Sequence, residues 1–266
     1  MSGWFDIGVN LTDPRLDVEP TLSQAAEAGV THMAITGTDE AASQAALSLC
    51  QNHPNQLVCT AGVHPHYAKD VSDDYLSVLR DLSSHDAVVA IGECGLDFNR
   101  NFSPPEVQLR VFEQQLQLAC DVGLPVFLHE RDAHAQQIAL LQRYRDRLSG
   151  GVAHCFTGDR AQMDAYLQLD LYIGITGWVC DPRRGQALAE AVTHLPLERL
   201  LLETDAPYLK PRTLSGGGRD NVPANLPHIG AFVAERMGVS VEQVLDHSRR
   251  NALSLLGAPS WSVPCN

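Results

Sequence analysis

The sequence predicts an α/β chain folded as a TIM-type (β/α)8 barrel, with a metal site at the C-terminal face of its strands. Three observations predict it. The length, 266 residues, is close to the ~250 of such a barrel. Short apolar runs alternate with helical segments eight times, through short connections, the signature of a parallel sheet. Four of those runs end at residues able to bind a metal or move a proton: Glu93, His129, His154 and Asp205. A parallel barrel gathers its chemistry at that end of its strands.

The elements follow in order. Residues 4–9 read as a first strand, then a helix over 21–28 stopped by Gly29. A second strand over 32–36 exits at Gly37, and Asp39 caps a helix running to Cys50. The third strand, 57–61, runs into Gly62-Val63-His64-Pro65-His66. After a helix near 73–82, the β-branched run Val88-Val89-Ala90-Ile91 makes a buried strand ending at Glu93, with Gly92 and Gly95 leaving room beside the acid. Ser103 as N-cap, Pro104 at the first position and Glu106 three after the cap start a helix to Val122. The fifth strand delivers His129 and is followed by a helix over 133–148. The sixth, 151–153, delivers His154, and Asp159 caps a helix to about 169. The seventh, 171–175, leads to Gly177-Trp178 and a helix near 185–193. The eighth, 200–202, leads through Glu203 and Thr204 to Asp205. Pro223 and Ser240 open two further helices, the last over 241–256. The long loop over 209–222 carries a flexible Ser215-Gly216-Gly217-Gly218. No repeat or linker divides the chain, so residues 1–266 are expected to form one domain with an additional C-terminal helix.

Hydrophobic content of 44% and charged content of 19% fit a globular chain and exclude disorder. A net charge of −13 argues against broad adhesion to duplex DNA or to an anionic membrane. It leaves open a nucleic acid held by a metal and a few local cations. The seven cysteines form no C-x-x-C pair, which excludes a zinc ribbon or a thioredoxin-type motif. The first residues lack a basic and apolar leader, and no run approaches a membrane span, so a soluble, cytoplasmic protein is expected, with no obligate protein partner.

Glu93, His129 and His154 supply one carboxylate and two imidazoles from neighbouring strands, a set that leaves positions open on a divalent ion. Asp205, across the mouth, is placed to hydrogen-bond a water, act as general base or complete the metal shell. His64 and His66 suit contact with a phosphate or leaving group; loop histidines bonded to backbone carbonyls are the plainer reading. Arg131 suits a bidentate phosphate clamp or a rim salt bridge. Lys210, Arg212 and Arg219 suit a polyanion at the mouth or simply a solvated loop. Cys94 and Cys155 are assigned to packing, because adjacent residues on a strand face opposite ways.

These residues lie in motifs that resemble the TatD family of metal-dependent deoxyribonucleases: Ile91-Gly92-Glu93-Cys94-Gly95-Leu96-Asp97, Gly62-Val63-His64-Pro65-His66, His154-Cys155-Phe156-Thr157-Gly158 and Leu202-Glu203-Thr204-Asp205-Ala206-Pro207-Tyr208-Leu209. The resemblance runs from Phe5 to about Leu256. It implies a β/α barrel with Mg²⁺-dependent phosphodiesterase activity, Mn²⁺ or Zn²⁺ being possible substitutes. Single-stranded DNA or RNA would be degraded from the 3′ end, in a role that includes DNA repair. It also implies Glu93, His129 and His154 as metal ligands and Asp205 as the catalytic acid. Most of the wider family carry an H-x-H pair on the first strand; here those positions are Gly8 and Asn10. A second ion would then depend on Asp6, Asp205, Glu93 and substrate phosphate. Two other readings use the same residues: a barrel hydrolase of small-molecule amides or esters, and a non-catalytic quality-control partner of exported proteins.

Overall fold

Eight strands pair in parallel in chain order: β1 (Trp4–Val9), β2 (Val30–Ile35), β3 (Leu57–Ala61), β4 (Val88–Asp97), β5 (Val126–Arg131), β6 (Gly151–Ala153), β7 (Tyr172–Ile175) and β8 (Leu200–Leu202). The computed structural model describes residues 3–216, 218–257 and 261. A single parallel bridge, Val9 to Ala206, spans the seam between β8 and β1. Asp205 N–H donates to Gly8 O at 2.9 Å and Asn10 N–H to Ala206 O at 2.8 Å. The predicted (β/α)8 architecture is therefore the observed one.

Strand parity sorts the side chains into two layers. Phe5, Ile7, Ala34, Val58, Phe127, Val152 and Leu201 fill the barrel interior. Their neighbours Met33, Ile35, Leu57, Cys59, Val126, Leu128, Leu200 and Leu202 face outward against the helices. Because side chains alternate along a strand, continuing inward parity carries Phe127 to His129, Val152 to His154, and Leu201 to Glu203 and Asp205. The packing pattern thus aims the polar residues at the mouth.

Nine α-helices accompany the strands among the described residues. The caps expected for three are present. Asp39 accepts from Ala42 N–H at 2.7 Å ahead of α2 (Glu40–Asn52), and Asp159 and Ser240 form capping boxes at α6 (Arg160–Gln168) and α9 (Val241–Leu256). From α9, Ala252, Leu253 and Leu256 join the interior cluster with Phe5 and Val58. No described helix is long and apolar enough to cross a membrane.

Three expectations are corrected. Helix α4 spans Pro105–Val122, with Pro104 rather than Ser103 at its N-cap. The Ser103 hydroxyl instead donates to His66 O at 2.9 Å and accepts from Lys69 N–H at 3.0 Å, tying down the tight turn Pro65–Asp70. Helix α5 (His134–Tyr144) stops short of residue 148, because a turn at Tyr144 O folds the buried Leu148 inward. Strand β4 continues past Glu93 to Asp97, where it pairs with Arg131 of β5.

Candidate metal centre

The extension of β4 decides where Glu93 points. Ile91 pairs with Val126, Gly92 with Phe127 and Cys94 with Leu128, so the register shifts by one residue at Glu93. Ile91 faces the helices, and unbroken alternation would turn Glu93 the same way. The bulge reverses the phase and brings the acid inside, a common use of a bulge beside a functional site. Gly92 makes it possible: its φ is +151°, and a Cβ there would strike the Phe127 backbone.

Inside the mouth, one oxygen, Glu93 Oε1, meets three imidazole nitrogens. His129 Nδ1 lies at 2.9 Å, His154 Nε2 at 3.2 Å and His64 Nε2 at 3.4 Å. Ligand atoms of His64, Glu93 and His129 lie within 4.8 Å of one another. The charges follow from this contact. Burial alone would raise the Glu93 pKa, but His64, His154 and His129 hold it well below the usual carboxylate range. Burial alone would lower His129, but Asp97 and Glu93 outweigh it and raise it to about 9. His154 is raised well above the imidazole range by Glu203 and Glu93, against its burial.

The outer partners separate the three histidines chemically. Glu203 Oε2 takes His154 Nδ1 at 2.8 Å, which leaves Nε2 of a neutral ring free to bind a metal. His64 is the reverse case. Its Nδ1 accepts from His66 N–H at 3.1 Å, so the proton of the neutral ring sits on Nε2 and makes that atom a donor. Burial lowers its pKa to about 4, with Glu93 opposing, which keeps the ring neutral. His129 Nε2 is buried without a hydrogen-bond partner and lies 3.4 Å from Asp97 Oδ2, long for a bond. One buried carboxylate and two imidazoles, one of them with a ring nitrogen left without a hydrogen-bond partner, together fit a divalent cation.

The other candidates are placed as follows. Asp205 accepts from Asn10 Nδ2 at 3.0 Å. Burial raises its pKa to about 7, helped by Glu93 and Glu203 and opposed by His154 and the Asn10 bond. Asp6 is fully buried. Oδ1 accepts from Thr204 N–H at 2.9 Å and Oδ2 from the Thr204 hydroxyl at 2.5 Å, which makes it a strut between β1 and the exit of β8. Burial raises it to about 8. His66 Nε2 is 2.7 Å from Asp97 Oδ2. Arg131 is exposed on the rim and has no ion-pair partner among the described residues. Arg212 is exposed on the loop after β8, whereas Lys210 Nζ donates to Gly216 O at 2.9 Å and Gly218 O at 2.7 Å and braces that loop. Cys94 packs in the outer layer, and burial holds the Cys155 thiol well above its ordinary range.

Three contributors escaped the sequence reading: Asp97, Asn10 and Glu203. Glu203 was findable, since it shares inward parity with Leu201 and Asp205. Its carboxylate fills the space beside two glycines: a Cβ at Gly8 would land on Oε2 and one at Gly174 on Oε1. Replacing Gly8 with alanine is expected to destabilise the barrel by about 1–3 kcal/mol through overpacking. Chemical denaturation would report it; an unshifted midpoint would mean that Glu203 yields instead.

The chain is similar to known proteins in sequence and in fold. The sequence model of the family described as TatD related DNase matches residues 5–257. The chain is 49% identical over 257 residues, 95% of this chain and 99% of the relative, to the 3′-5′ ssDNA/RNA exonuclease TatD of Erwinia amylovora. It is 53% identical over 234 residues, 86% of this chain and 90% of the relative, to the same-named protein of Edwardsiella piscicida. Among solved structures it resembles YJJV, the TatD homologue from Escherichia coli K12. The TM-score is 0.88 at 30% identity, covering 96% of this chain and 98% of that one.

Proposed function

The chain belongs to the TatD related DNase family, and from that premise we propose that it is a Mg²⁺-dependent 3′-5′ exonuclease of single-stranded DNA and RNA. The observation that carries the reading is the meeting of three imidazole nitrogens on Glu93 Oε1, all within 3.4 Å. The curated relatives carry the exonuclease name. A role in DNA repair and a cytoplasmic setting belong to the same reading.

In this mechanism Glu93, His129 and His154 would hold a divalent ion. When bound, it supplies Lewis-acid neutralisation of phosphoryl charge and a water of lowered pKa. Asp205 orients the attacking water and accepts its proton, with Asn10 fixing the carboxylate's direction. His64, holding its proton on Nε2, donates to a phosphate oxygen, and Arg131 clamps a second oxygen from the rim. Asp97 steadies His129 and His66. With Asp6 engaged by Thr204, the chain's own residues would hold one ion, and a second would depend on the substrate's phosphate.

The direct test uses chelated protein and an end-labelled single-stranded oligonucleotide, with Mg²⁺, Mn²⁺ or Zn²⁺ added separately, because the imidazoles favour Zn²⁺ whereas the carboxylate and water favour Mg²⁺ or Mn²⁺. A ladder shortening from the 3′ end supports the proposal. An intact oligonucleotide with every ion would favour a small-molecule hydrolase.

Two further outcomes concern the ion itself. Glu203→Gln is expected to lower metal affinity about 10–100-fold, the usual cost of losing a carboxylate behind a metal-binding histidine. Titration calorimetry reads this directly; unchanged affinity would reduce Glu203 to packing. His129 and His154 are protonated in the free site, so the ion must displace protons. Affinity should therefore rise with pH up to about 9, the His129 value, and flat affinity across that range would contradict the ligand assignment.

A further inference from the structure

Glutamine is mostly a surface residue, yet Gln108 and Gln115 of α4 are 1% and 0% exposed. They lie seven residues apart on one helix face, with Val111 and Phe112 buried between them. Two turns of helix separate such positions by about 10 Å. Neither takes part in the hydrolytic chemistry. A leucine would fill either place without a polar group to satisfy, so the two buried carboxamides need a reason.

Each carboxamide pairs with both polar groups of one backbone residue. Gln115 Oε1 accepts from Val63 N–H at 2.8 Å, and its Nε2 donates to Val63 O at 3.0 Å. Gln108 Oε1 accepts from Asp97 N–H at 2.8 Å, and its Nε2 donates to Asp97 O at 3.0 Å. The Gln108 amide also donates to Ser103 O at 2.8 Å, the residue whose hydroxyl holds the Pro65–Asp70 turn. These are the bonds a neighbouring strand would make. β3 ends at Ala61, paired with Ile91, while β4 runs on to Asp97. Among the described residues no strand lies beside Asp97 on that side, and Val63 lies beyond the end of β3. Helix α4 therefore satisfies two buried backbone residues that the sheet leaves over.

The two clamped residues flank one imidazole. His64 follows Val63, and its Nε2 lies 3.2 Å from His129 Nδ1. Asp97 Oδ2 lies 3.4 Å from His129 Nε2 on the other side of the ring. We infer that Gln108 and Gln115 are positioning residues: the rigid face of α4 sets the separation of Asp97 from His64 and so fixes the His129 ring between them. Gln108 acts through Asp97 on a proposed metal ligand. Gln115 acts through Val63 on the imidazole that meets the phosphate. The inference rests on the nuclease reading for the roles of His129 and His64, and adds what holds them in place.

Methionine, unbranched and without a carboxamide, removes each clamp in turn. Gln108→Met is expected to lower Mn²⁺ affinity about tenfold by titration calorimetry, the lower end of the loss for a group behind a metal ligand. Gln115→Met should leave Mn²⁺ affinity nearly unchanged and lower kcat on a single-stranded oligonucleotide about tenfold at similar KM, the mark of misplaced chemistry and not of lost binding. Leu116→Ala removes buried apolar volume from the same helix and controls for general loosening. An equal loss of Mn²⁺ affinity in Leu116→Ala and Gln108→Met would reduce the clamp to packing and overturn the inference. So would unchanged affinity in Gln108→Met together with unchanged kcat in Gln115→Met. Should the methionine variants fail to fold, hydrogen exchange on the unsubstituted protein decides. The Val63 and Asp97 amides should exchange as slowly as those inside β4, and rapid exchange at both would overturn the clamp. The calorimetry needs no nucleic acid. A chain that shows the Gln108→Met loss but cuts no oligonucleotide keeps the clamp and loses the nuclease reading.

Discussion

Glu93→Gln is expected to reduce oligonucleotide hydrolysis by about 10³-fold or more while leaving the barrel folded, a loss of about 4 kcal/mol of transition-state stabilisation. The size follows from the position of one atom. Glu93 Oε1 is the common partner of His64, His129 and His154, so its charge orients two proposed ligands and the proposed hydrogen-bond donor to the phosphate together. Glutamine keeps the shape and removes the charge. Circular dichroism should be unchanged, because the side chain lies above the apolar layers and not within them. The His129 and His154 pKa values, which Glu93 helps to raise, should fall, and NMR titration of the imidazoles would show it. Activity above about a tenth of wild type would sink the proposed centre.

Asp205→Asn carries the second largest expected effect, about 10²–10⁴-fold on kcat, the range for a lost general base. Metal affinity should change little, since Asp205 lies outside the three-imidazole contact. The pH profile gives the sharper readout. A base works when deprotonated, so activity rises as pH climbs through the Asp205 pKa. Burial and its acidic neighbours raise that value to about 7 in the metal-free site. A bound cation favours the carboxylate, so the limb of the loaded enzyme should fall below 7. The asparagine variant should lose this limb. Its survival would assign the titration to another group.

How much of this was legible beforehand depends on which physical rule placed each residue. His129, His154 and Asp205 sit where strand parity and the barrel rule put them, so the sequence alone leads to the mouth. Asp39, Asp159 and Ser240 cap helices by a local rule that needs no tertiary context. Ser103 obeyed the same local pattern yet bonds His66 and Lys69 instead, because a long-range partner outcompeted the cap. Glu93 was found for an incomplete reason. Its chemistry and its glycines pointed to the site, but its inward aim comes from a register shift that only pairing with β5 reveals. Asp97 was hidden by the same error, since a strand ended at Glu93 leaves it in a loop. Lys210 looked like a free cation; the carbonyls of Gly216 and Gly218 that hold it carry no sequence signal.

The one-residue slip in β4 also makes the strand modular. Upstream of Gly92 its side chains keep step with the barrel's packing, and downstream they keep step with the mouth; neither half constrains the other's phase. A transplant of this acid into another β/α barrel must therefore carry Gly92 and Glu93 as a unit. Moving the glutamate alone onto a regular strand at the same count from the core would deliver it to the helix side, away from any histidine it was meant to meet.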